Sequence, residues 1–215
     1  MHLFTLEFGS LLTYSPHGNS EPEQLSRTWM QHLKNDRPIS NPPILMSELI
    51  SKIIKEKMET LPFDHFFKIS PILVPIPKSS LTQPGTLWVP QRLANALVQN
   101  GFGKTVEQCL RRVKALPKSA TSLAKDRPKA AQHCDSLEIQ KMLSEPKEIL
   151  LVDDVVTRGA TLLGAANRLK DAFTRANIRA FAAMRTISNP EDFKDIHDPC
   201  EGKITLNDEE TRREP

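Results

Sequence analysis

Two adjacent carboxylates, Asp153 and Asp154, follow a short apolar run and precede a turn that contains two threonines and a glycine. The turn, residues 157–161, opens a segment with helical apolar spacing, so its unpaired backbone N–H groups lie at the positive end of a helix dipole. Those groups, two hydroxyls and a left-handed Gly159 together suit a monophosphate. The carboxylates accept hydrogen bonds at neutral pH and suit two neighbouring hydroxyl groups. A ribose 5-phosphate carries both features.

The elements around this motif alternate between strand and helix. Residues 149–152 form a continuous apolar run, typical of a strand buried on both faces. A helix follows, with apolar side chains at helical spacing on one face, and residues 178–184 predict the next strand. Strand, helix and strand in this order indicate a right-handed crossover in a parallel sheet. We therefore expect an α/β fold with a mostly parallel sheet, whose ligands bind beyond the carboxyl ends of the strands.

A second loop is expected at the same edge of the sheet. Residues 72–74 predict another buried strand, which ends abruptly in Pro75-Ile76-Pro77-Lys78-Ser79. A helix over 89–97, stopping near Asn100 and Gly101, follows it.

The first 65 residues predict a strand and two helices. Phe4, Leu6 and Phe8 alternate with other residues, as in a half-buried strand. Ser20 and Glu23 resemble a capping box, and the helix after them is expected to bury a face of residues at four-residue spacing: Leu25, Trp29 and Leu33. Ser47 is expected to cap the second helix, which Pro62 ends.

Composition narrows the class of protein. The 215 residues carry a net charge of +3, and no apolar run approaches the roughly 20 residues of a membrane-spanning helix. The N-terminus lacks the features of a signal peptide, so we expect a cytoplasmic protein. Three widely spaced cysteines without a CxxC pair argue against a disulfide framework or a zinc site.

Basic residues concentrate between 111 and 129. This stretch contains one acidic residue, Asp126, and seven basic residues: Arg111, Arg112, Lys114, Lys118, Lys125, Arg127 and Lys129. Residues 114–131 show no helical or strand periodicity of apolar residues, so we expect a mobile loop that binds an anion. The plainer interpretation is a solvated basic loop. No aromatic residue lies between Phe102 and Phe173, which argues against nucleic acid as the partner of this loop.

The segment ILLVDDVVTRGAT resembles the signature of type I phosphoribosyltransferases, and the resemblance extends loosely from Ile72 to Met184. It implies a type I phosphoribosyltransferase fold with a small hood subdomain, 5-phosphoribosyl diphosphate as substrate and Mg²⁺ as cofactor. The ribose hydroxyls, and the metal through the substrate, would be held by Asp153 and Asp154. The rest of the phosphoribosyl site would comprise Val155, Thr157, Arg158, Gly159, Ala160 and Thr161. The diphosphate loop would comprise Pro77, Lys78, Ser79 and Ser80, and the catalytic lid residues would be Lys118, Arg127 and His133.

Within that family the VPIP segment is most similar to ComF-type and amidophosphoribosyltransferase-like proteins. The chain has no cysteine before Cys109, so it lacks the N-terminal zinc cluster of ComF-type proteins. Many members have a second threonine at Arg158, whose side chain we expect to face solvent. The expected organisation is a hood or flank over 1–65, a core over 66–186 with a flexible loop about 112–134, and a polar tail or hood part over 187–215.

The activity implied by the resemblance is transfer of a phosphoribosyl group to a nitrogen nucleophile, such as a nucleobase, with release of diphosphate. The acceptor is not legible in the sequence, and a homodimer is implied. One alternative is a regulatory or accessory protein that binds the same compound without turnover, linked to DNA processing or defence. A plainer alternative is that Asp153 and Asp154 cap the following helix, although a cap needs only one acid.

Overall fold

The computed structural model describes residues 3–81, 85–117, 127–140 and 145–215. The strands in these ranges are β1 (Thr5–Tyr14), β2 (Ile72–Pro75), β3 (Thr105–Val106), β4 (Leu110–Arg112), β5 (Leu137–Ile139), β6 (Glu148–Val156), β7 (Asn177–Thr186), β8 (Cys200–Asn207) and β9 (Glu210–Glu214). The helices are α1 (Glu21–Lys34), α2 (Met46–Lys57), α3 (His65–Lys68), α4 (Val89–Gln99), α5 (Ala130–Asp135) and α6 (Ala160–Ala172), with single 3₁₀ turns at Met58–Thr60 and Pro190–Asp192.

Seven of these strands form one mostly parallel sheet in the order β3-β2-β6-β7-β1-β8-β9. Neighbours from β3 to β1 pair in parallel, and β8 and β9 add an antiparallel edge beside β1. The β6-α6-β7 unit is the predicted crossover, because β6 and β7 pair in parallel along their length. The expected α/β fold, a mostly parallel sheet flanked by helices, is confirmed.

Helices cover both faces of the sheet. The buried apolar side chains form two clusters, one on each face of the sheet. Along β6 the side chains alternate between them, with Ile149 and Leu151 in the first cluster and Leu150 and Val152 in the second. Helices α5 and α6 contribute to the first cluster, and α2, α3 and α4 contribute to the second. The central strands therefore have no solvent-facing side, which explains their continuous apolar runs.

Helix α1 crosses the carboxyl end of the sheet. Near its start, Ser26 Oγ accepts the backbone N–H of Ser15, just beyond β1, at 3.2 Å. At its end, Lys34 Nζ lies 2.8 Å from a carboxylate oxygen of Asp154 on β6. The predicted capping box is present, but the predicted buried face is only partly right, because Leu33 is buried whereas Leu25 is exposed.

The start of α2 differs from the expectation. Ser47 lies inside the helix, and the cap comes from buried Asp36, which accepts the Ser47 N–H at 2.8 Å and its hydroxyl at 3.1 Å. Arg92 of α4 pairs with the same carboxylate at 3.1 Å. The prediction was wrong because Ser47 is the second residue of the helix, and a carboxylate distant in sequence accepts its N–H in place of a local cap.

The predicted loop over 114–131, within the flexible segment about 112–134, ends earlier than expected. Helix α5 begins at Ala130, and β5 pairs with β4 as a small antiparallel sheet. Close packing explains the ordered helix: a Cβ on Gly164 of α6 would lie 2.5 Å from the carbonyl oxygen of Ala130. Residues 118–126 lie outside the described ranges.

The C-terminal segment 187–215 contains β8 and β9, which the polar sequence did not predict. A turn with positive φ at Asp208 and Glu209 joins the two strands. Ile204 of β8 is fully buried and packs in the same apolar cluster as α6. Within the described ranges, every helix falls short of the length and apolar character that crossing a membrane requires.

Candidate active site

Asp153 and Asp154 lie near the carboxyl end of β6, where the strand continues through them to Val156. Each carboxylate accepts a backbone N–H through Oδ1: Asp153 from Asp154 at 2.9 Å, and Asp154 from Val155 at 2.7 Å. The N-cap of α6 is Gly159, and no described side chain caps that helix. The alternative that the two acids are helix caps is therefore wrong.

The electrostatic environment of Asp153 disfavours its ionised form. Burial, and then the negative charge of Asp154, raise the pKa of Asp153 well above its usual value, while Lys34 acts in the opposite sense. Burial alone would lower the pKa of Lys34, but the charges of Asp154 and Asp153 outweigh it and the pKa is raised. Lys34 was absent from the residues expected at this site, because no local motif connects it with a strand that follows 120 residues later.

The turn after β6 has the backbone conformation that its glycine suggested. Gly159 has φ of +83°, and a Cβ there would lie 2.5 Å from the side chain of Ile204. Helix α6 begins at Ala160, so the positive N-terminal end of the helix dipole lies at this turn. The hydroxyls of Thr157 and Thr186 lie 3.2 Å apart, and that of Thr161 lies 3.3 Å from His133 Nε2. A turn of this kind can bind an anion through its N–H groups.

Two arginines support the turn from outside. Arg158 pairs with Glu210 of β9 at 3.1 Å and is half-buried, so it does not simply face solvent as expected. Arg213 of β9 was not foreseen: it donates to the carbonyl oxygens of Thr157 at 2.8 Å and Thr186 at 2.7 Å. The C-terminal hairpin therefore fixes the backbone of the turn.

The expected diphosphate loop lies beside β6. The N–H of Ile76 donates to the carbonyl oxygen of Val152 at 2.9 Å, and the Trp88 indole donates to the carbonyl of Ile76 at 2.7 Å. Exposure rises along the loop: Pro77 is buried, Lys78 and Ser79 are half-buried, and Ser80 is exposed. The sequence prediction that this loop and the carboxylate pair share one edge of the sheet is consistent with this placement.

Arg112 joins the diphosphate loop to the carboxylate pair. Its guanidinium is buried, donates to the Lys78 carbonyl at 2.9 Å and contacts the hydroxyl of Ser136. Its Nη2 is buried and has no partner among the described residues. Burial lowers the pKa of Arg112 to about 10, with the charge of Asp153 acting against that change. The alternation of a strand explains the burial of Arg112, since Leu110 and Arg112 are buried on one face of β4 while Arg111 between them is exposed.

The three lid residues have different outcomes. Lys118 lies outside the described residues, and the role of half-buried Arg127 stays a prediction. His133, expected on a flexible loop, lies in α5 and is only 2% exposed. Burial, and then the charge of Arg112, lower the pKa of His133 to about 4, so the imidazole is neutral at pH 7. Its Nδ1 is buried without a described partner.

The arrangement offers complementary contacts in one place. A carboxylate pair accepts hydroxyl hydrogens, a helix N-terminus receives one anion, and a buried guanidinium can receive a second. The described residues form no group of three or more His, Cys, Asp and Glu side chains that would hold a metal by themselves. Asp153 and Asp154 fit Mg²⁺ only as one or two of its ligands, with substrate oxygens and water supplying the others.

Comparison with solved structures finds two crystal forms of a hypoxanthine phosphoribosyltransferase from Staphylococcus aureus. The tetragonal form is 16% identical over 76% of this chain and 76% of that chain, with a TM-score of 0.34. The orthorhombic form is 14% identical over 76% of this chain and 77% of that chain, also with a TM-score of 0.34. At this level the similarity establishes neither an activity nor a substrate. No protein-family model matches the chain, and the search of curated proteins also finds no match.

Proposed function

We propose that the protein is a type I phosphoribosyltransferase that transfers a 5-phosphoribosyl group from 5-phosphoribosyl diphosphate to a nitrogen nucleophile. The observation that carries the proposal is the position of the Asp153–Asp154 pair, at the end of one strand, with the Gly159 turn after it and the buried guanidinium of Arg112 within electrostatic range of the Asp153 carboxylate. A phosphoribosyl diphosphate has a matching order of groups: a 5-phosphate, a vicinal diol and a diphosphate.

The 5-phosphate would bind at the N-terminus of α6. Gly159 allows the turn to close in a left-handed conformation, and the hydroxyls of Thr157 and Thr161 lie on either side of it. Backbone N–H groups at a helix N-terminus bind phosphate through both hydrogen bonds and the helix dipole. Because Arg158 is engaged with Glu210, phosphate binding would rest on the turn itself.

The diol would bind to the carboxylates of Asp153 and Asp154, which can only accept hydrogen bonds when ionised. The diphosphate would meet Lys78, the 77–80 backbone and Arg112. The unpartnered Nη2 of Arg112 supports this placement, because a buried N–H donor without an acceptor is costly unless a ligand supplies one. Hydrogen bonds between guanidinium and phosphate oxygens are charge-assisted and stronger than neutral ones.

Catalysis in this arrangement would come from positioning and from neutralising the leaving diphosphate. The bond between C1 of the ribose and the diphosphate oxygen breaks, the nitrogen lone pair forms the new bond at C1, and the diphosphate leaves with the electron pair. A nitrogen that carries a hydrogen would release it as a proton to water. When bound, Mg²⁺ supplies positive charge to the diphosphate oxygens while keeping several waters. Asp153 and Asp154 would orient the sugar, and Arg112 would hold the leaving group in a site shielded from water.

The acceptor would enter beneath α1, which crosses the carboxyl end of the sheet between β1 and β6. This helix belongs to the segment that we expect to be the hood. The substrate class proposed for it is a nucleobase or a related nitrogen heterocycle.

Turnover tests the proposal. The protein is incubated with 5-phosphoribosyl diphosphate, Mg²⁺ and a panel of purines, pyrimidines and simple amines, and diphosphate release is measured. We expect release with at least one acceptor, and loss of that release in Asp153→Asn/Asp154→Asn. Binding of 5-phosphoribosyl diphosphate without release across the whole panel would contradict the transferase and favour the non-catalytic binding protein.

A further inference from the structure

We infer that His133 is a positioning residue of the 5-phosphate subsite: its Nε2–H donates to the hydroxyl of Thr161, so that the hydroxyl directs its own hydrogen at the phosphate. The inference rests on the proposed function. It gives this histidine a fixed role on α5, against the first turn of α6, in place of the expected role on a flexible lid. It also makes the 5-phosphate subsite one that presents donors to its ligand.

The position of the His133 ring is fixed by the close packing of α5 on α6. A Cβ on Gly164 would lie 2.6 Å from Cβ of His133 and 2.9 Å from the backbone nitrogen of Cys134, so this approach needs a glycine. Thr161 lies three residues before Gly164 on the same face of α6, and its Oγ1 is 3.3 Å from Nε2 of His133. The ring is therefore held against the threonine by backbone packing, and it is only 2% exposed.

The protonation of His133 determines which group donates. Burial, and then the charge of Arg112, lower its pKa to about 4, so the ring carries one N–H at neutral pH. On Nδ1, that hydrogen would be a buried donor without an acceptor among the described residues, in a region where Nη2 of Arg112 is already such a donor. On Nε2, it has Thr161 Oγ1 as its acceptor, and Nδ1 presents a lone pair in the field of the Arg112 charge. The Nε2–H tautomer is the more favourable of the two.

A donor on Thr161 Oγ1 determines where the hydrogen of this hydroxyl points. A hydroxyl has one hydrogen and two lone pairs. The imidazole lies on the buried side of the half-buried threonine and occupies one lone pair, so the hydrogen is directed to the open side. Thr161 is the second residue of α6, and its hydroxyl then donates alongside the first-turn N–H groups. A phosphate dianion, which can only accept, fits this set of donors.

The test is a double-mutant cycle measured as calorimetric binding of ribose 5-phosphate at neutral pH. We expect the affinity to fall about tenfold in His133→Leu and about 30-fold in Thr161→Val, which removes the hydroxyl. The double variant should also be about 30-fold weaker than the native protein, because His133 then has no hydroxyl to orient. Independent effects would instead multiply to about 300-fold, and that result would overturn the role of His133.

Two controls separate positioning from a general loss of structure, with thermal melts to verify that each variant is folded at the temperature of the titration. His133→Gln keeps a side-chain N–H near the place of Nε2 and should bind ribose 5-phosphate within about threefold of the native affinity. Inorganic diphosphate with Mg²⁺, which the proposed function assigns to Arg112 and the 77–80 loop, should bind to His133→Leu within about threefold of the native affinity. Equal losses of both ligands in His133→Leu would overturn the specific role.

A further measurement needs neither a variant nor a ligand. ¹⁵N NMR of the His133 ring distinguishes the two tautomers, and we expect a protonated Nε2 and an unprotonated Nδ1 at neutral pH. A hydrogen on Nδ1, with native binding of ribose 5-phosphate intact, would overturn the role of His133 and leave the proposed function standing. Failure of the native protein to bind ribose 5-phosphate would overturn the proposed function and the role of His133 with it.

Discussion

The two ends of the central sheet differ in how their charges are satisfied. At the amino end, a cleft of about 500 Å³ is lined by several basic side chains, among them Lys170 and Arg179. Arg179 pairs with Glu7 at 3.0 Å and with Glu148 at 3.4 Å, and Lys170 donates to the Ala176 carbonyl at 2.8 Å. At the carboxyl end, Arg112 is buried with an unpartnered Nη2, beside a carboxylate whose pKa is raised.

This difference separates a structural surface from a candidate site. Two of the four cations that line the amino-end cleft, Arg179 and Lys170, already have protein partners and contribute to the fold without a ligand. A buried donor without a partner costs free energy in the absence of a ligand, so it points to a bound acceptor. The carboxyl end is therefore the better candidate, although a cleft lies at the amino end.

The largest expected effect on stability comes from the glycine at the carboxyl end. Gly159→Ala should lower the free energy of unfolding by about 3 kcal/mol, because it adds backbone strain at positive φ and a clash with Ile204. Gly101→Ala is the matched control: its φ is +91°, but an added Cβ meets nothing within 4 Å, so only about 1 kcal/mol should be lost. Urea denaturation measures both, and equal losses would contradict the close packing of the turn on Ile204.

His133 should make the carboxyl end sensitive to acid. Its pKa in the folded protein is about 4, below the value of 6.5 in an unfolded chain. The unfolded state therefore takes up the proton first, and stability should fall by up to about 3 kcal/mol as the pH drops from 6.5 to 4. His133→Gln should be less stable at neutral pH and lack this part of the pH dependence in thermal melts. An unchanged acid transition in the variant would contradict a buried neutral imidazole.

A variant at Arg112 tests whether its unpartnered guanidinium binds the diphosphate. Arg112→Met should weaken binding of inorganic diphosphate with Mg²⁺ by about 30-fold, since charge-assisted hydrogen bonds contribute roughly 1.5–3 kcal/mol. The control is Arg111→Met, which removes the adjacent exposed arginine and its 2.8 Å pair with Glu138. We expect calorimetry to show less than a threefold change for the control, and equal losses in the two variants would remove the distinction between them.

The smallest effect is expected at the amino end. Arg179→Met should cost about 1 kcal/mol of stability, because it breaks two partly exposed ion pairs. Affinity for 5-phosphoribosyl diphosphate should stay within twofold of the native value. A loss of ligand affinity without a loss of stability would move the candidate site to the amino-end cleft.

The parts of the fold that were predicted correctly are those with local patterns. The apolar runs of β2 and β6, the helical spacing of α6 and the Gly159 turn each depend on residues close together in sequence, so periodicity and backbone chemistry indicate them. The acidic pair and the turn after it were placed correctly at the carboxyl end of the sheet for the same reason.

The parts that were missed depend on contacts between distant segments. Lys34, Arg213 and the Asp36 cap act on residues that only the folded chain brings near them. His133 was assigned to a loop because a proline-containing basic stretch precedes it, whereas its burial results from the close approach of α5 to Gly164. Burial of that kind leaves no periodic signal in a six-residue helix.

The most direct test of the candidate site is calorimetry of 5-phosphoribosyl diphosphate with Mg²⁺. It compares the native protein, Asp153→Asn/Asp154→Asn, and the charge-matched control Glu191→Gln/Asp192→Asn, which changes two exposed acids in a 3₁₀ turn. We predict binding by the native protein and by the control, and an affinity at least 100-fold weaker in the Asp153/Asp154 variant. No binding by the native protein, or equal binding by all three, would contradict the assignment of the carboxyl end as a phosphoribosyl site.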